Sequence, residues 1–540
     1  MGYLRRKTLE WFPAAAVSAF FAAILARTGA FGREAWAFEG LCRELVAGTT
    51  EGRQALVGSG WFPPLPTLVG APAAAIAPHA ALPWAAIFTA FIASAVALYT
   101  LWRTLGRVFQ APTRSCGADG AAPSQASTED ATSVDGRADL RVRRLSPQPS
   151  RLCPFARMLA KTASWLACIP VLWLIFGTNP TTLAIAAMGV VAVCKLADWW
   201  ESGGLSDLVK LGFAIAGLVL CGFATAGLVA ALLVLLPLPV LWKPRLKGRF
   251  HGVFVLGALP AIYALLVWCL MGWLILGDGF YPIRGASACL DWSLLALRPA
   301  YATIALALAV AAIILRRRDS AQLALVAAVV VSFAWSYTLR AAGCEFAQPA
   351  TDILMVVSII LAVARLAGRS PKDFGGAGLR TTALGGVIQI LFAALLIILA
   401  VPITRAHLAS VSETRGGQPD SAWLEQLEAD VAARTPYGRI FVCGYGAPGL
   451  LKGERRDPFT PCLDPFLAMM RKDYTRQEIF LLLPEPTGAS AWESVFWRYP
   501  GIYERGAQRL LYAGDYGPSW RLYELVSAPL KEQLQEWRER

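Results

Sequence analysis

Long apolar stretches recur along the first three quarters of this chain, and they constrain its fold more than any other feature. A helix that crosses a membrane needs about 20 mostly apolar residues. By that measure the candidate spans are residues 11–28, 81–102, 160–177, 181–197, 208–224, 226–242, 252–276, 299–315, 320–339, 351–368 and 383–403. Charged residues make up only 16% of the chain, against roughly 25% in soluble proteins. The sequence therefore excludes an ordinary soluble globule and predicts a polytopic α-helical membrane domain of about 11 transmembrane helices over residues 1–403.

Lysine and arginine are unevenly distributed among the loops that join these segments. With the N-terminus in the cytoplasm, the predicted inside segments carry 26 Lys and Arg residues and the predicted outside loops carry 6. Cytoplasmic loops of membrane proteins carry the excess of positive charge. We therefore expect a multi-pass protein of the inner or plasma membrane with a cytoplasmic N-terminus. The net charge of +13 then reflects membrane topology and calls for no nucleic-acid partner.

The first apolar segment also has features of a signal peptide, because Arg5, Arg6 and Lys7 precede it. No small-residue cleavage site follows it before polar sequence begins, so we expect a retained first helix. Residues 110–150 are rich in Ser, Ala, Gly, Pro and Arg and have no hydrophobic periodicity. That composition predicts a disordered cytoplasmic insertion.

The last part of the chain, residues 404–540, has a different pattern. An odd number of spans places it outside the cytoplasm. Short apolar runs typical of strands occupy residues 439–443, 478–483, 509–513 and 520–526. One helical pattern begins near Asp420 or Ser421, and two others cover residues 462–472 and 492–504. Alternation of strands and helices predicts a small extracytoplasmic α/β domain.

Cysteine and histidine show no metal-ligand spacing. The chain has 11 Cys without a Cys-x-x-Cys motif and only three His, so we predict no metal site. Cys443 and Cys462 both lie in the extracytoplasmic domain, where an oxidising compartment permits a disulfide. Two buried free thiols are the equally open alternative.

The first outside loop, residues 29–80, carries the most informative pattern. On a helix over residues 33–47, Glu34 lies on the same face as Phe38, Leu41 and Leu45, with Glu39 and Arg43 as an i,i+4 pair on the opposite side. A carboxylate against apolar packing has a raised pKa and suits a general base. A helix-start acid favoured by the dipole is the structural alternative.

A proline-rich segment follows in the same loop. Trp61 and Phe62 precede Pro63, Pro64 and Pro66, with Pro72 further on. Because proline fixes φ and lacks an N–H, we expect a rigid, non-helical loop that presents aromatic side chains at the membrane interface. An ordered loop without ligand contact is the alternative.

Together these features resemble the GT-C superfamily of integral-membrane glycosyltransferases. The resemblance rests on the acidic start of the first outside loop, the helix ending Arg43-Glu-Leu-Val-Ala-Gly48 and the segment Pro63-Pro64-Leu65. Many spans and an outside C-terminal domain complete the layout. The most similar branch contains protein O-mannosyltransferases and the lipid A aminoarabinose transferase. The loop motif covers about 40 residues, whereas the layout covers nearly the whole chain.

The resemblance implies transfer of a sugar from a polyprenyl-phosphate donor to a hydroxyl of a glycan, lipid or protein acceptor. Family members commonly open the loop helix with an Asp-Glu pair, and here Arg33 stands where the Asp is expected. Glu34 is therefore the first candidate for the catalytic acid and Glu39 the second. Asp278, Asp291, Glu345 and Asp352, which flank the later outside loops, are weaker candidates.

The departing phosphate needs cations, and the planar guanidinium can donate two hydrogen bonds to it. The substrate-binding candidates are Arg33, Arg43, Trp61, Pro63, Pro64, Arg284 and Arg340. Each arginine has an alternative role as an interfacial anchor. The scheme requires no cofactor, although some superfamily members use a divalent metal and that alternative stays open.

Two other functions stay open as well. A transporter or flippase for lipid-linked solutes would show internal repeats and charges within its spans, and the sequence has no repeat. A non-catalytic scaffold with an outside binding domain is consistent with Arg33 in place of Asp.

We expect the charged stretch Asp198–Glu201, at a predicted cytoplasmic turn, to be solvated and anchored by its two tryptophans.

Overall fold

The chain folds into a helical bundle followed by a small sheet domain. The computed structural model describes residues 2–28, 33–58, 62–77, 82–110, 180–242, 246, 248–289, 320–341, 348–368, 421–434, 439–443, 459–462, 479–486, 490, 493–507, 509–517 and 519–526. The predicted insertion at 110–150 and the predicted spans 160–177, 299–315 and 383–403 lie outside the described residues, except for Gln110.

Within the described residues the bundle contains thirteen α-helices. They are α1 (Gly2–Thr28), α2 (Arg33–Ala47), α3 (Thr50–Gln54), α4 (Pro64–Ile76), α5 (Trp84–Gln110), α6 (Pro180–Ser202), α7 (Leu205–Val219), α8 (Ala226–Leu235), α9 (Pro239–Trp242), α10 (Phe250–Leu276), α11 (Tyr281–Cys289), α12 (Ser320–Ala341) and α13 (Gln348–Gly368).

Five helical segments of the described chain are long and apolar enough to cross a membrane. They are Trp84–Val108, Pro180–Ser202, Phe223–Leu241, Phe250–Leu276 and Ser320–Leu339. Trp11–Ile24, Pro64–Ile76 and Pro349–Ala362 are apolar but shorter. The prediction of a membrane-associated helical protein therefore holds at this coarser level.

Contacts between helix ends show which ends of the bundle helices meet. At one end, named here the Asp198 end, Arg107 near the end of α5 meets Asp198 near the end of α6. Ser320 at the start of α12 donates to the Trp200 carbonyl there, and Arg365 near the end of α13 pairs with Glu201. Helices α5, α6 and α13 therefore run toward the Asp198 end, and α12 runs away from it.

The opposite end, named here the loop end, collects the short helices. The Leu65 amide in α4 donates to the Leu220 carbonyl after α7, and Trp335 of α12 donates to the Ala224 carbonyl. Helices α7 and α12 therefore finish at the end of the bundle where α4 of the first loop lies. This up-and-down arrangement agrees with the alternation of the predicted spans.

The C-terminal domain is built on a five-stranded mixed sheet. Its strands are β1 (Arg439–Cys443), β2 (Phe459–Cys462), β3 (Ile479–Pro484), β4 (Leu510–Tyr516) and β5 (Trp520–Leu525), in the order β2-β1-β3-β5-β4. The pairs β1–β2 and β1–β3 are parallel, and the pairs β3–β5 and β4–β5 are antiparallel. The predicted strands at 439–443, 478–483, 509–513 and 520–526 are confirmed, whereas β2 was not predicted.

Helices cover both faces of this sheet. Helix α14 (Ser421–Arg434) packs Leu427 and Val431, which are four residues apart and therefore lie on one side of the helix, against one face of the sheet. Two short helices, α15 (Ser494–Arg498) and α16 (Ile502–Arg505), supply Val495 and Ile502 to the other face. The predicted single helix over 492–504 is wrong, because Pro500 and the left-handed Gly501 (φ 79°) interrupt it. The predicted helix at 462–472 lies outside the described residues after Cys462, which ends β2.

Cys443 and Cys462 are neighbours in the register of β1 and β2, and both are buried as thiols that form no disulfide. We therefore expect both to react with iodoacetamide only after denaturation, and without prior reduction. Mass spectrometry of the alkylated protein measures this. Alkylation that requires a reductant would show a disulfide instead.

Candidate functional site

The first loop folds onto the loop end of the bundle through α2. The predicted helix over 33–47 is confirmed as α2 (Arg33–Ala47). Phe38 and Leu41 on its predicted apolar face are buried, and a Cβ added to Gly70 of α4 would lie 2.8 Å from the Phe38 ring. Glu34 belongs to the first turn of this helix, four residues before Phe38. The side chains of Arg33 and Glu34 lie outside the described residues.

Glu39 is placed differently from the prediction. The predicted ion pair with Arg43 is present, with 2.7 Å between Glu39 Oε1 and an Arg43 guanidinium nitrogen. The expectation that this pair lies on the side away from the packing is wrong, because Glu39 is only 4% exposed. The carboxylate points into the protein because it has a second hydrogen-bond donor there.

That second donor is the N-terminus of α5. The Ala85 amide donates to Glu39 Oε2 at 2.6 Å. Ala85 is the second residue of α5, and amides of a first helical turn have no partner within the helix. A carboxylate at this end of a helix is also favoured by the dipole. Glu39 therefore ties α2 to α5 and is occupied on both oxygens.

Replacing Glu39 with glutamine tests this role. The amide oxygen can still accept from Ala85, but the charge opposite the mostly buried Arg43 is lost. We expect the free energy of unfolding to fall by about 1.5–3 kcal/mol, the usual range for a hydrogen bond to a charged group. Thermal unfolding in detergent micelles measures the loss, with Glu425→Gln on the exposed side of α14 as the matched control. Equal stability of the two variants would contradict the role.

Cys42 lies beside this ion pair and is buried. Burial raises the pKa of the Cys42 thiol well above its usual value, and the Glu39 carboxylate adds to the rise while Arg43 opposes it. A thiol in this environment is a packing residue and not a nucleophile.

The proline-rich segment corrects a prediction. It was expected to be a non-helical loop, but α4 begins at Pro64 and contains Pro66 and Pro72. Pro63 is the N-cap residue, with extended backbone angles. Proline is tolerated in a first helical turn because the amides there have no helical partner. Pro63 and Pro64 are both buried, and the Trp61 side chain lies outside the described residues.

Among the arginine candidates, Arg284 is the one whose side chain is described and largely exposed. It lies on α11, its side chain is 61% exposed, and it pairs with the buried Asp278 at 3.2 Å. Asp278 also accepts from the Phe280 amide, which starts the turn into α11. The side chain of Arg340 lies outside the described residues, as do Asp291 and Glu345. Asp352 accepts a hydrogen bond from Ser336 at 2.7 Å.

The structure brings α11 and the first loop together through contacts that sequence reasoning did not foresee. The Tyr281 hydroxyl on α11 donates to the Gly58 carbonyl at 2.8 Å, and the Trp268 indole on α10 donates to the Val57 carbonyl at 2.6 Å. Gly58 is three residues before Trp61, and Tyr281 is one turn before Arg284. The backbone at Val57 and Gly58 and the Arg284-bearing helix α11 are thereby held together at the loop end.

The C-terminal domain contacts the same place. Trp497 of α15 packs against Tyr281 with ring centroids 5.1 Å apart, and Arg498 donates to the Leu276 carbonyl at the end of α10. Strand β2 also contacts α2 and α3. The first loop, α11 and the C-terminal domain therefore lie at one end of the bundle.

Within the described residues, no three His, Cys, Asp or Glu side chains are grouped so that they could hold a metal ion. The described side chains that meet at this end are carboxylates, arginines and aromatic rings.

The fold and this site define a mostly helical, membrane-associated protein with a small C-terminal sheet domain. The chain matches no protein-family model, and no curated protein matches it.

Proposed function

We propose that this protein is an integral-membrane glycosyltransferase, which moves a sugar from a polyprenyl-phosphate donor to an acceptor hydroxyl on the extracytoplasmic side. The observation that carries the proposal is the shared position of α2, the Arg284-bearing helix α11 and the C-terminal domain at one end of the bundle. The resemblance of the first loop to GT-C enzymes supports the same assignment.

In this proposal the eleven predicted spans form the membrane domain, and the loop end faces away from the cytoplasm. The donor's lipid tail lies in the bilayer and its phosphate at the outer interface. A base there removes the proton from the acceptor hydroxyl as the oxygen attacks the anomeric carbon. The bond between that carbon and the phosphate oxygen breaks, and polyprenyl phosphate leaves.

We assign a role in this reaction to each candidate residue. Glu34 is the proposed base, at the start of α2. Arg284 is the proposed phosphate ligand, because its guanidinium is exposed and its partner Asp278 holds it on α11; Arg33 and Arg340 are further candidates. Arg43 and Glu39 support the fold of the loop through their pair. Trp61 is the proposed ring that contacts the donor.

The protein in lipid vesicles, supplied with radiolabelled polyprenyl-phosphate hexoses or pentoses and a cell-envelope fraction, tests the proposal. We expect label to move to the envelope fraction while free polyprenyl phosphate is released in equal amount. Label that stays on the intact carrier but crosses to the other leaflet would identify a flippase. Label that neither transfers nor crosses would favour the scaffold.

A further inference from the structure

Two buried hydrogen bonds hold the chain just before Trp61. Trp268 donates to the Val57 carbonyl and Tyr281 donates to the Gly58 carbonyl. Both donors are nearly fully buried, with Tyr281 only 1% exposed. Water therefore cannot easily replace either bond, which makes each one more valuable than an exposed hydrogen bond.

Gly58, which precedes Trp61 in the chain, packs closely against the residues that follow Trp61. Gly58 has φ 78°, and a Cβ added to it would lie 2.8 Å from the Phe62 carbonyl oxygen and 2.9 Å from Pro63. Gly58 and Phe62 are therefore close in space. The described residues on either side of positions 59–61 are thus held next to each other.

After Trp61, the chain is held in place by contacts with the helical bundle. A Cβ added to Gly222 would lie 3.1 Å from Pro63, and the Leu65 amide donates to the Leu220 carbonyl. The bundle therefore fixes the segment after Trp61, whereas α10 and α11 fix the segment before it.

The C-terminal domain reaches the fixing residues on the first side. Trp497 covers Tyr281, and Tyr281 in turn contacts Phe223, which stacks on Trp268 with centroids 5.2 Å apart and planes 8° apart. These four rings form one continuous cluster, named here the aromatic bridge. Arg498 adds a hydrogen bond to the end of α10.

From this we propose that docking of the C-terminal domain positions the first-loop backbone at Val57 and Gly58, the described residues that precede Trp61, with Trp497 and Tyr281 as the positioning residues. Trp497 fixes the Tyr281 ring and keeps water from the Tyr281–Gly58 bond. Without Trp497, the ring gains rotational freedom and the Gly58 carbonyl gains water as a competing partner. The assignment of Trp61 as a donor contact rests on the proposed function; the mechanical coupling does not.

Hydrogen exchange of the full-length protein in lipid nanodiscs tests the coupling. We compare wild type with Tyr281→Phe, which removes one hydroxyl, and with Trp497→Ala. Tyr512→Ala is the matched control, because Tyr512 is an exposed ring in the same domain. We expect exchange in peptides covering residues 57–62 to become about 5- to 10-fold faster in both test variants, as loss of a bond worth about 1 kcal/mol implies, and to stay unchanged in the control.

Two outcomes overturn the proposal. If Tyr281→Phe alone accelerates exchange, the C-terminal domain does not position the segment. If neither variant does, the aromatic bridge only stabilises the domain contact. Peptides from β3 report whether the domain stays folded; should Trp497→Ala unfold it, Trp497→Leu takes its place in the same comparison.

The exchange result is independent of catalysis. Accelerated exchange in a protein that transfers no sugar would overturn the proposed function and leave the coupling intact. If wild type does transfer sugar, we expect Trp497→Ala to raise the KM for the lipid-linked donor more than it lowers kcat. A purely structural contact would instead lower the amount of active protein with KM unchanged.

Discussion

Replacing Glu34 with glutamine should lower the rate of sugar transfer by about 10²- to 10⁴-fold, the usual contribution of a general base. Glutamine has nearly the same shape as glutamate but cannot take the acceptor's proton. The first turn of α2 should keep its structure, since Phe38 and Leu41 supply the packing of this face. The release of polyprenyl phosphate under saturating donor measures the effect.

Glu425→Gln is the control for this substitution, because Glu425 is exposed on α14 in the C-terminal domain. The control should transfer at the wild-type rate, and both variants should unfold at the wild-type temperature. If Glu34→Gln transfers as fast as Glu425→Gln, Glu34 takes no part in the reaction. The described structure would then leave Glu39 as the second candidate, although both of its oxygens already have partners.

A second large effect should come from the other end of the bundle. Asp198 is 6% exposed and accepts from Lys195 at 2.6 Å and from Arg107 at 2.8 Å. Lys195 is itself nearly buried, with its side chain 10% exposed. Replacing Asp198 with alanine leaves the Lys195 ammonium buried, and among the described residues the acidic partner that it keeps is the more distant Asp207, 3.8 Å away. Breaking a buried pair in this way costs about 3–5 kcal/mol of unfolding free energy.

Asp515→Ala provides the comparison. Asp515 also pairs with an arginine, Arg521, but its side chain is 58% exposed, and exposed pairs contribute about 0–1 kcal/mol. Thermal unfolding of both variants in the same detergent measures the difference. A similar loss in the two variants would mean that water reaches Asp198 and that the Asp198 end is not a buried charge network.

The burial of Asp198 corrects the expectation of a solvated turn. Helix α6 continues to Ser202, so Asp198 and Trp199 lie within the helix and not in a turn. Trp199 and Trp200 are 1% exposed and donate to the Leu236 and Leu235 carbonyls. Sequence alone showed the charges; it could not show that Arg107, 91 residues away in the chain, supplies the counter-charge.

Features that depend on local periodicity could be predicted. The helix over 33–47, its i,i+4 pair and the apolar strands β1 and β3 follow from residue spacing within single elements. Strand β2 could not be predicted so easily, because it has four residues and one of them is Pro461. It becomes a strand by pairing with β1, which is a tertiary effect.

Helix α4 shows why a correct rule gave a wrong prediction. Proline disfavours helix interiors, but Pro64 and Pro66 occupy the first turn, where no amide is needed, and α4 continues through Pro72 with the loss of one backbone hydrogen bond. The i,i+4 pairing of Glu39 with Arg43 on α2 was likewise predicted correctly. The burial of Glu39 was not predicted, because it depends on the N-terminus of α5, which lies beside Glu39 only in the folded protein. The bonds from Trp268 and Tyr281 to the first loop join residues more than 200 positions apart, and no local pattern encodes them.

The proposed function requires that the loop end and the C-terminal domain face away from the cytoplasm, where a lipid-linked sugar donor would meet them. A cysteine at the exposed position Glu485 in the C-terminal domain and another at exposed Ser202 at the Asp198 end test it directly in intact cells. Mass spectrometry then locates labelling by a membrane-impermeant maleimide. We expect Glu485→Cys to be labelled in intact cells and Ser202→Cys to be labelled only after permeabilisation. The reverse pattern would place the first loop in the cytoplasm and overturn the proposed function.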